Sequence, residues 1–239
     1  MEKVTLITGA SGDIGTAIAC QLAEKGHQLV LHYHKNQQAM ENLIQILPDE
    51  YICKVIQANL STDRGIGQLI KELPSSVDSF IHTSGATYYG LFQYMTDEDM
   101  DDMLHIHVKA PWKITKQLLP AMIQKKSGNI ILITSIWGEI GASCEVAYSS
   151  VKGAQQSFIR ALAKEVGPSG ISVNGVSPGF IDTKMNDIFS SEEKQAFISE
   201  IPLGRAGTPR DIANTVDFLL QHQTSYIQGE IIRVNGALT

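Results

Sequence analysis

Short runs of consecutive apolar residues alternate along the chain with stretches in which apolar residues recur every three or four positions. Val4-Thr5-Leu6-Ile7-Thr8 reads as a buried strand. The glycine-containing turn Gly9-Ala10-Ser11-Gly12-Asp13-Ile14-Gly15 follows it, and a helix over Thr16–Lys25 stops at Gly26. The same rhythm predicts strands over 28–33, 51–57 and 78–82, with a helix over Gln37–Leu47 that ends before Pro48. Helices over 97–107 and 111–125 lead into the apolar run Gly128–Thr134, which closes at Ser135. A further helix from about 147 to Gly167-Pro168 precedes a strand over 171–176. Strand and helix alternating through short connections predict right-handed crossovers and a parallel sheet covered by helices on both faces. The expected fold is therefore α/β, a single-domain doubly wound sheet of the Rossmann type over residues 1–239, without linker, repeat or low-complexity tract. Residues 183–204 break the rhythm with polar residues and scattered Met185, Ile188, Phe189 and Phe197; the segment reads as a substrate lid or as a surface helical excursion.

Composition narrows the function classes. A chain of 239 residues with 43% hydrophobic and 18% charged residues is ordinary for a globular protein, and no apolar stretch reaches the ~20 residues that cross a bilayer. The first strand begins too close to Met1 for a signal peptide, so a cytoplasmic location is expected. A net charge of −6, with Lys125-Lys126 as the only basic doublet, argues against nucleic acid as a partner. Cys20, Cys53 and Cys144 lack metal or redox-pair spacing, and His32/His34 and His105/His107 lack a third convergent ligand, so no metal is expected.

Two groups of residues carry chemistry. Tyr148 and Lys152 lie four apart, which places them on one helix face, and Ser135 stands at a strand end upstream. A phenol near pKa ~10 exchanges protons poorly at neutral pH unless a neighbouring cation favours the phenolate, so the pair is a candidate proton-transfer site. Taken alone, a Tyr and a Lys at this spacing also occur on solvated helix faces. The glycine turn adds a second signal: at the start of a βα unit it lets backbone amides approach a pyrophosphate at the helix N-terminus. Ligands of open parallel sheets bind outside the carboxyl ends of the strands, where the turn, Ser135 and the loop after Val176 all fall.

Together these residues resemble the short-chain dehydrogenase/reductase family. Further matches are Asn174-Gly175-Val176-Ser177-Pro178-Gly179-Phe180-Ile181-Asp182-Thr183, the phrase Ile201-Pro202-Leu203-Gly204-Arg205-Ala206-Gly207-Thr208-Pro209-Arg210-Asp211-Ile212-Ala213, and the ending Gly229–Gly236. The last two look like the 3-oxoacyl-[acyl-carrier-protein] reductase branch, although related sugar and alcohol dehydrogenases use similar phrases. The resemblance implies NADPH-dependent reduction of a 3-oxoacyl thioester, a small-molecule carbonyl substrate that acyl carrier protein would present. Tyr148 would protonate the developing alkoxide, Ser135 would hold the carbonyl oxygen, and Lys152 would favour tyrosinate and bond the nicotinamide ribose. It further implies cofactor contacts from Gly9, Ser11, Asp13, Ile14 and Gly15 at the pyrophosphate, from Asn59 and Leu60 at the adenine, from Ser84 and Gly85, and from Ile181 and Thr183 at the carboxamide. Family members pair the helices around 97–125 and 147–166 with symmetry mates, which implies a homotetramer.

The chain also departs from its relatives. Asp13 stands where they usually have glycine; its carboxylate could cap the helix or repel pyrophosphate. His107 replaces an asparagine that holds a relay water, and reads either as its substitute or as a packed helix histidine. His82-Thr83-Ser84-Gly85 replaces Asn-Asn-Ala-Gly, which puts the amide contacts of that turn in question. Residues 30–40 contain no Asp or Glu to bond an adenosine 2'-hydroxyl, and His34 and Lys35 stand there instead, which favours NADP over NAD without excluding NADH. Two rivals remain open: an NAD(P)-dependent sugar, alcohol or ketone dehydrogenase, which Ser169 keeps alive because carrier-docking relatives place a basic residue there, and a low-turnover dinucleotide-binding regulatory protein.

Overall fold

A computed structural model describes residues 3–239. Seven parallel strands form one sheet in the order β3-β2-β1-β4-β5-β6-β7: β1 Val4–Thr8, β2 Gln28–Tyr33, β3 Ile52–Gln57, β4 Ser79–His82, β5 Gly128–Ile133, β6 Ile171–Pro178 and β7 Ile231–Val234. Strand order reverses between β1 and β4, and the crevice beyond their carboxyl ends is where such sheets bind ligands. The expected doubly wound sheet is thus present, with helices on both faces.

Helices α1 (Asp13–Ala23), α2 (Gln37–Ile46), α3 (Asp63–Glu72), α4 (Asp97–Leu104), α5 (Ala110–Lys125), α6 (Trp137–Ile140), α7 (Val146–Val166), α8 (Ser191–Glu200) and α9 (Pro209–Leu219) complete the fold. One core cluster joins Leu6, Phe80, Ile130 and Leu132 to Ile114, Leu118 and Ile159 of α5 and α7. The other joins Ile7, Leu31, Ile81 and Ile131 to Ile18 and Leu22 of α1 and to Ile212 and Val216 of α9. Alternate residues of one strand thus enter opposite cores, and each fully buried aliphatic side chain contributes ~1.5–3 kcal/mol.

The predicted helix over 97–107 does not stop before the one at 111. Residues His105–Lys109 form a π-helical turn that joins α4 to α5, with the Ala110 amide reaching back to the His105 carbonyl. Pro111 lacks the N–H that would bond the His107 carbonyl, and the Gln155 side chain donates to that carbonyl instead at 2.8 Å. Three elements lie outside the periodicity described above. α3 is capped by the Thr62 hydroxyl, which accepts from the Gly65 amide at 3.0 Å, and α9 by a capping box of Thr208 and Asp211. β7 has only four residues and is named by its pairing with β6.

Candidate active site

The glycine turn is built by close approach. Gly9 has φ +74, and a Cβ there would lie 2.8 Å from Ser84 backbone atoms; at Gly15 it would lie 2.2 Å from the Gly9 carbonyl. Gly12 is the N-cap of α1 and supplies no side-chain cap, so the amides of the helix start face the crevice, the chemistry a pyrophosphate requires. The cradle therefore fits a dinucleotide. The suggestion that Asp13 caps its own helix is corrected: its Oδ2 accepts from the Lys184 amide at 2.7 Å, tying the turn to the segment after β6.

Two buried histidines support this turn. His32 Nδ1 accepts from the Gly9 amide at 3.1 Å while Nε2 donates to the Ala58 carbonyl at 3.0 Å. Burial pushes its pKa down to about 4, so the ring is neutral as this bonding requires. His82 Nε2 donates to the Ile106 carbonyl at 3.1 Å, and Nδ1 accepts from the Thr8 hydroxyl at 2.9 Å. Thr83 Oγ1 donates to the Thr8 carbonyl at 2.6 Å. His82 and Thr83 thus supply cross-links in the turn whose amide contacts were in question, and His82 anchors the π turn that carries His107. Burial, then the Lys152 charge, lowers the His82 pKa to about 3.

Ser135, Tyr148 and Lys152 converge beyond the end of β5. The Gln156 amide donates to the Ser135 carbonyl at 3.2 Å, fixing the loop against α7, and Gly138 lets α6 cross α7 where a Cβ would lie 2.7 Å from the Lys152 carbonyl carbon. Ser135 and Tyr148 line the same pocket, where the Ser135 side chain favours ionisation of the phenol. Lys152 is 5% exposed; its Nζ donates to the Ile133 carbonyl at 2.8 Å and sits 5.5 Å from the Tyr148 ring centroid. Burial lowers the Lys152 pKa to about 7. It also raises that of Tyr148 above its ordinary value; the Glu145 charge adds to the rise and the Ser135 bond opposes it. The phenol is therefore neutral in the protein alone.

His107 is fully buried and meets Tyr148 edge-on, with ring centroids 5.6 Å apart. Its Nε2 lies 2.8 Å from the Ala86 carbonyl and 3.2 Å from the Ala86 amide, and its Nδ1 is buried without a protein partner. Burial and the Lys152 charge hold its pKa well below the usual histidine range, so the ring is neutral. Gly85 is glycine because a Cβ there would lie 2.9 Å from His107 Cε1.

The remaining candidates spread along the crevice. Gly85, Ile14, Ile181 and Thr183 line the same pocket as Ser135, Tyr148, Lys152 and His107. Ser84 Oγ is buried without a protein partner. His34 and Lys35 follow β2 outside that pocket, with Lys35 exposed. Asn59 Oδ1 accepts from the Ser61 amide at 2.9 Å, and the Leu60 side chain is buried in the core. The close neighbour of Gly179 is Asn235, 2.7 Å from a Cβ built there.

Of the other pocket residues, Met185, Ile188, Phe189 and Phe197 were read from the sequence as apolar points of the 183–204 segment, whereas Glu145 was not singled out. Glu145 lines the wall one turn ahead of Tyr148, and Phe180, Met185, Ile188, Phe189 and Phe197 form the opposite wall. Phe180 and Phe197 stack at 5.2 Å, and Phe189 meets Phe197 edge-on at 5.3 Å. Glu145 was legible as a charge at the N-cap of the Tyr148 helix, but only the fold shows that its side chain leaves the cap and faces the pocket. Among the described residues no cluster of metal-ligating side chains is found, and no helix is long and apolar enough to cross a membrane.

A dinucleotide cradle beside a Ser, a Tyr and a Lys that line one pocket on a parallel sheet is the arrangement of a nicotinamide-dependent oxidoreductase. The chain belongs to the short-chain dehydrogenase/reductase family: the family profile described as "Enoyl-(Acyl carrier protein) reductase" matches residues 9–239. It is 44% identical over 238 residues to the "Uncharacterized oxidoreductase YmfI" of Bacillus subtilis, covering 99% of this chain and 98% of the relative. It is 34% identical over 242 residues to the "3-oxoacyl-[acyl-carrier-protein] reductase FabG" of Staphylococcus aureus, covering 100% and 98%. The protein of the same name from Rickettsia felis is 36% identical over 236 residues, covering 99% and 96%.

Proposed function

We propose that this oxidoreductase reduces the 3-oxo group of an acyl thioester, with NADPH as the preferred cofactor. The observation that carries the reading is a neutral, partly buried Tyr148 phenol that shares one pocket with Ser135 and Lys152, beside a wall that is apolar and aromatic. When bound, the reduced nicotinamide supplies hydride to the carbonyl carbon. Ser135 donates a hydrogen bond to the carbonyl oxygen, and Tyr148 gives its proton to the same oxygen as negative charge develops there. Lys152, cationic below about pH 7, stabilises the tyrosinate left behind. His107, neutral and with a free Nδ1, stands where it can pass a proton back toward Tyr148. Phe180, Met185, Phe189 and Phe197 accept an acyl chain.

The support for a thioester comes from the two named 3-oxoacyl-[acyl-carrier-protein] reductases and from the apolar wall. NADPH is favoured because Asp and Glu are absent from 30–40, while Lys35 stands exposed past β2. The cavity measures about 130 Å³, below the ~300 Å³ of ordinary ligand sites, so residues 183–204 act as a lid that swings out to admit ligands. Exposed Leu104, Trp112, Ile123 and Val146 on or beside α4, α5 and α7 favour self-association into a homotetramer.

The test is loss of NADPH absorbance with acetoacetyl thioesters, crotonyl thioesters, and a panel of sugars, alcohols and ketones, repeated with NADH. Reduction of the 3-oxo thioester at the highest kcat/KM, with NADPH above NADH, is expected. A preference for the 2-enoyl thioester or for a sugar would overturn the reading.

A further inference from the structure

Glu145 is the one carboxylate lining the pocket among the described residues, and Lys152 is the one formal cation, already bonded to the Ile133 carbonyl. Glu145 occupies the N-cap position of α7 with φ −128 and ψ 36, yet its side chain makes no cap bond. Instead Oε1 accepts from the Thr87 hydroxyl at 3.1 Å, across the mouth of the site. The side chain is thus held toward the pocket by Thr87 and not by the helix start. The groups around Tyr148 are Ser135 after β5, His107 on the π turn, and Lys152 and Glu145 on α7 itself. With His107 neutral and the Lys152 ammonium bonded to the Ile133 carbonyl, Glu145 is the group that can repel an anion in the pocket.

We propose that Glu145 is a specificity-determining residue: it selects uncharged 3-oxo compounds, such as thioesters, and rejects those bearing a carboxylate beside the ketone. The inference rests on the carbonyl-reductase reading and deepens it by fixing the substrate's charge. An anionic group next to the reacting carbonyl would sit within a few ångströms of Glu145 in a half-buried wall, where like charges disfavour each other by a factor of about ten or more. A thioester carries no such charge, and its amide-bearing arm can donate to the oxygen that Thr87 leaves free. Partial burial raises the pKa of Glu145, with the Thr87 bond opposing, so the exclusion weakens on acidification as this carboxyl protonates.

The test compares wild type with Glu145→Gln, which keeps the shape and an acceptor for Thr87 but removes the charge. With NADPH, the ratio of kcat/KM for acetoacetate to that for the acetoacetyl thioester of N-acetylcysteamine is expected to rise about tenfold in the variant. An unchanged or lower ratio would overturn the proposal. A readout independent of turnover separates this from failure of the reductase reading. Binding of acetoacetate to the NADP+-loaded protein, followed by calorimetry, should tighten about tenfold in the variant while binding of the uncharged acetoacetyl thioester stays within about twofold. If wild type reduces neither compound, the reductase reading fails, and the binding comparison alone decides whether Glu145 excludes anions: unchanged acetoacetate affinity removes it.

Discussion

The two walls of the pocket are made by different physics. The inner wall, formed by Ser135, Tyr148, Lys152 and His107, is buried except for the partly buried Tyr148, and is tied to backbone groups of β5, the loop after it and the π turn through Lys152, Gln156 and Gln155. The outer wall, from Lys184 through α8, contributes no fully buried residue from its helix and is held by three aromatic contacts among Tyr89, Phe180, Phe189 and Phe197. Directional bonds to a sheet fix the atoms that exchange a proton, whereas apolar contacts of ~0.5–1.5 kcal/mol each can open and reform. The comparison teaches that geometry for chemistry and tolerance for substrate are divided between separate elements.

The sharpest way to break that division is at the inner wall. Tyr148→Phe should lower kcat by on the order of 10²- to 10⁴-fold, with thermal stability essentially kept because the ring remains. Near-normal turnover in folded protein would remove Tyr148 from the chemistry. Lys152→Met should also lower turnover, and its stability effect has a definite sign. The Lys152 pKa falls from 10.5 unfolded to about 7 folded, so between those values the unfolded chain binds more protons and stability rises with pH. Below pH 7 the charge is buried at full cost. The variant should therefore be more stable than wild type at pH 6, by on the order of 5 kcal/mol less what the lost bond to the Ile133 carbonyl costs, and the gap should narrow toward pH 10. Thermal melts across that range check it, and a gap that does not vary with pH would show that the ammonium is not held in a desolvated place.

Smaller effects probe the outer wall. Phe197→Ala removes two aromatic contacts and should raise KM for a medium-chain 3-oxo thioester about tenfold, leaving kcat for a short one within about threefold. An equal loss for both would mean that the lid positions the reacting carbonyl as well. The smallest change is expected where the two walls meet, at the bond between Asp13 and the Lys184 amide. Asp13→Asn keeps an acceptor but removes a charge from the pyrophosphate turn, and should tighten NADPH binding about two- to fivefold by calorimetry. Asp13→Gly should do the same and loosen residues 184–188 toward proteolysis. Unchanged affinity in both would leave Asp13 with a lid contact and no electrostatic role.

Much of this was legible in the residues. Local pattern determined β2 over Gln28–Tyr33 and the span of the Tyr148 helix nearly to the residue, because a fully buried parallel strand and a long amphipathic helix each impose a period on their own sequence. The close placement of Tyr148 and Lys152 followed from helix spacing alone. The direction of the Tyr148 pKa did not, because it depends on desolvation by β5, the π turn and the lid, none of which is a neighbour in sequence. The π turn is of the same kind: Pro111 forbids one helical bond, but the Gln155 side chain that replaces it lies 48 residues away along the chain. The sequence by itself thus determined the sheet, the cofactor turn and the family of the chain, since these rest on local periodicity and short motifs. Only the tertiary structure decided that Glu145 faces the pocket, that Asp13 bonds the Lys184 amide, and that His32 and His82 brace the turns as neutral rings. Burial and charge at a point in space are sums over elements that the chain brings together only by folding.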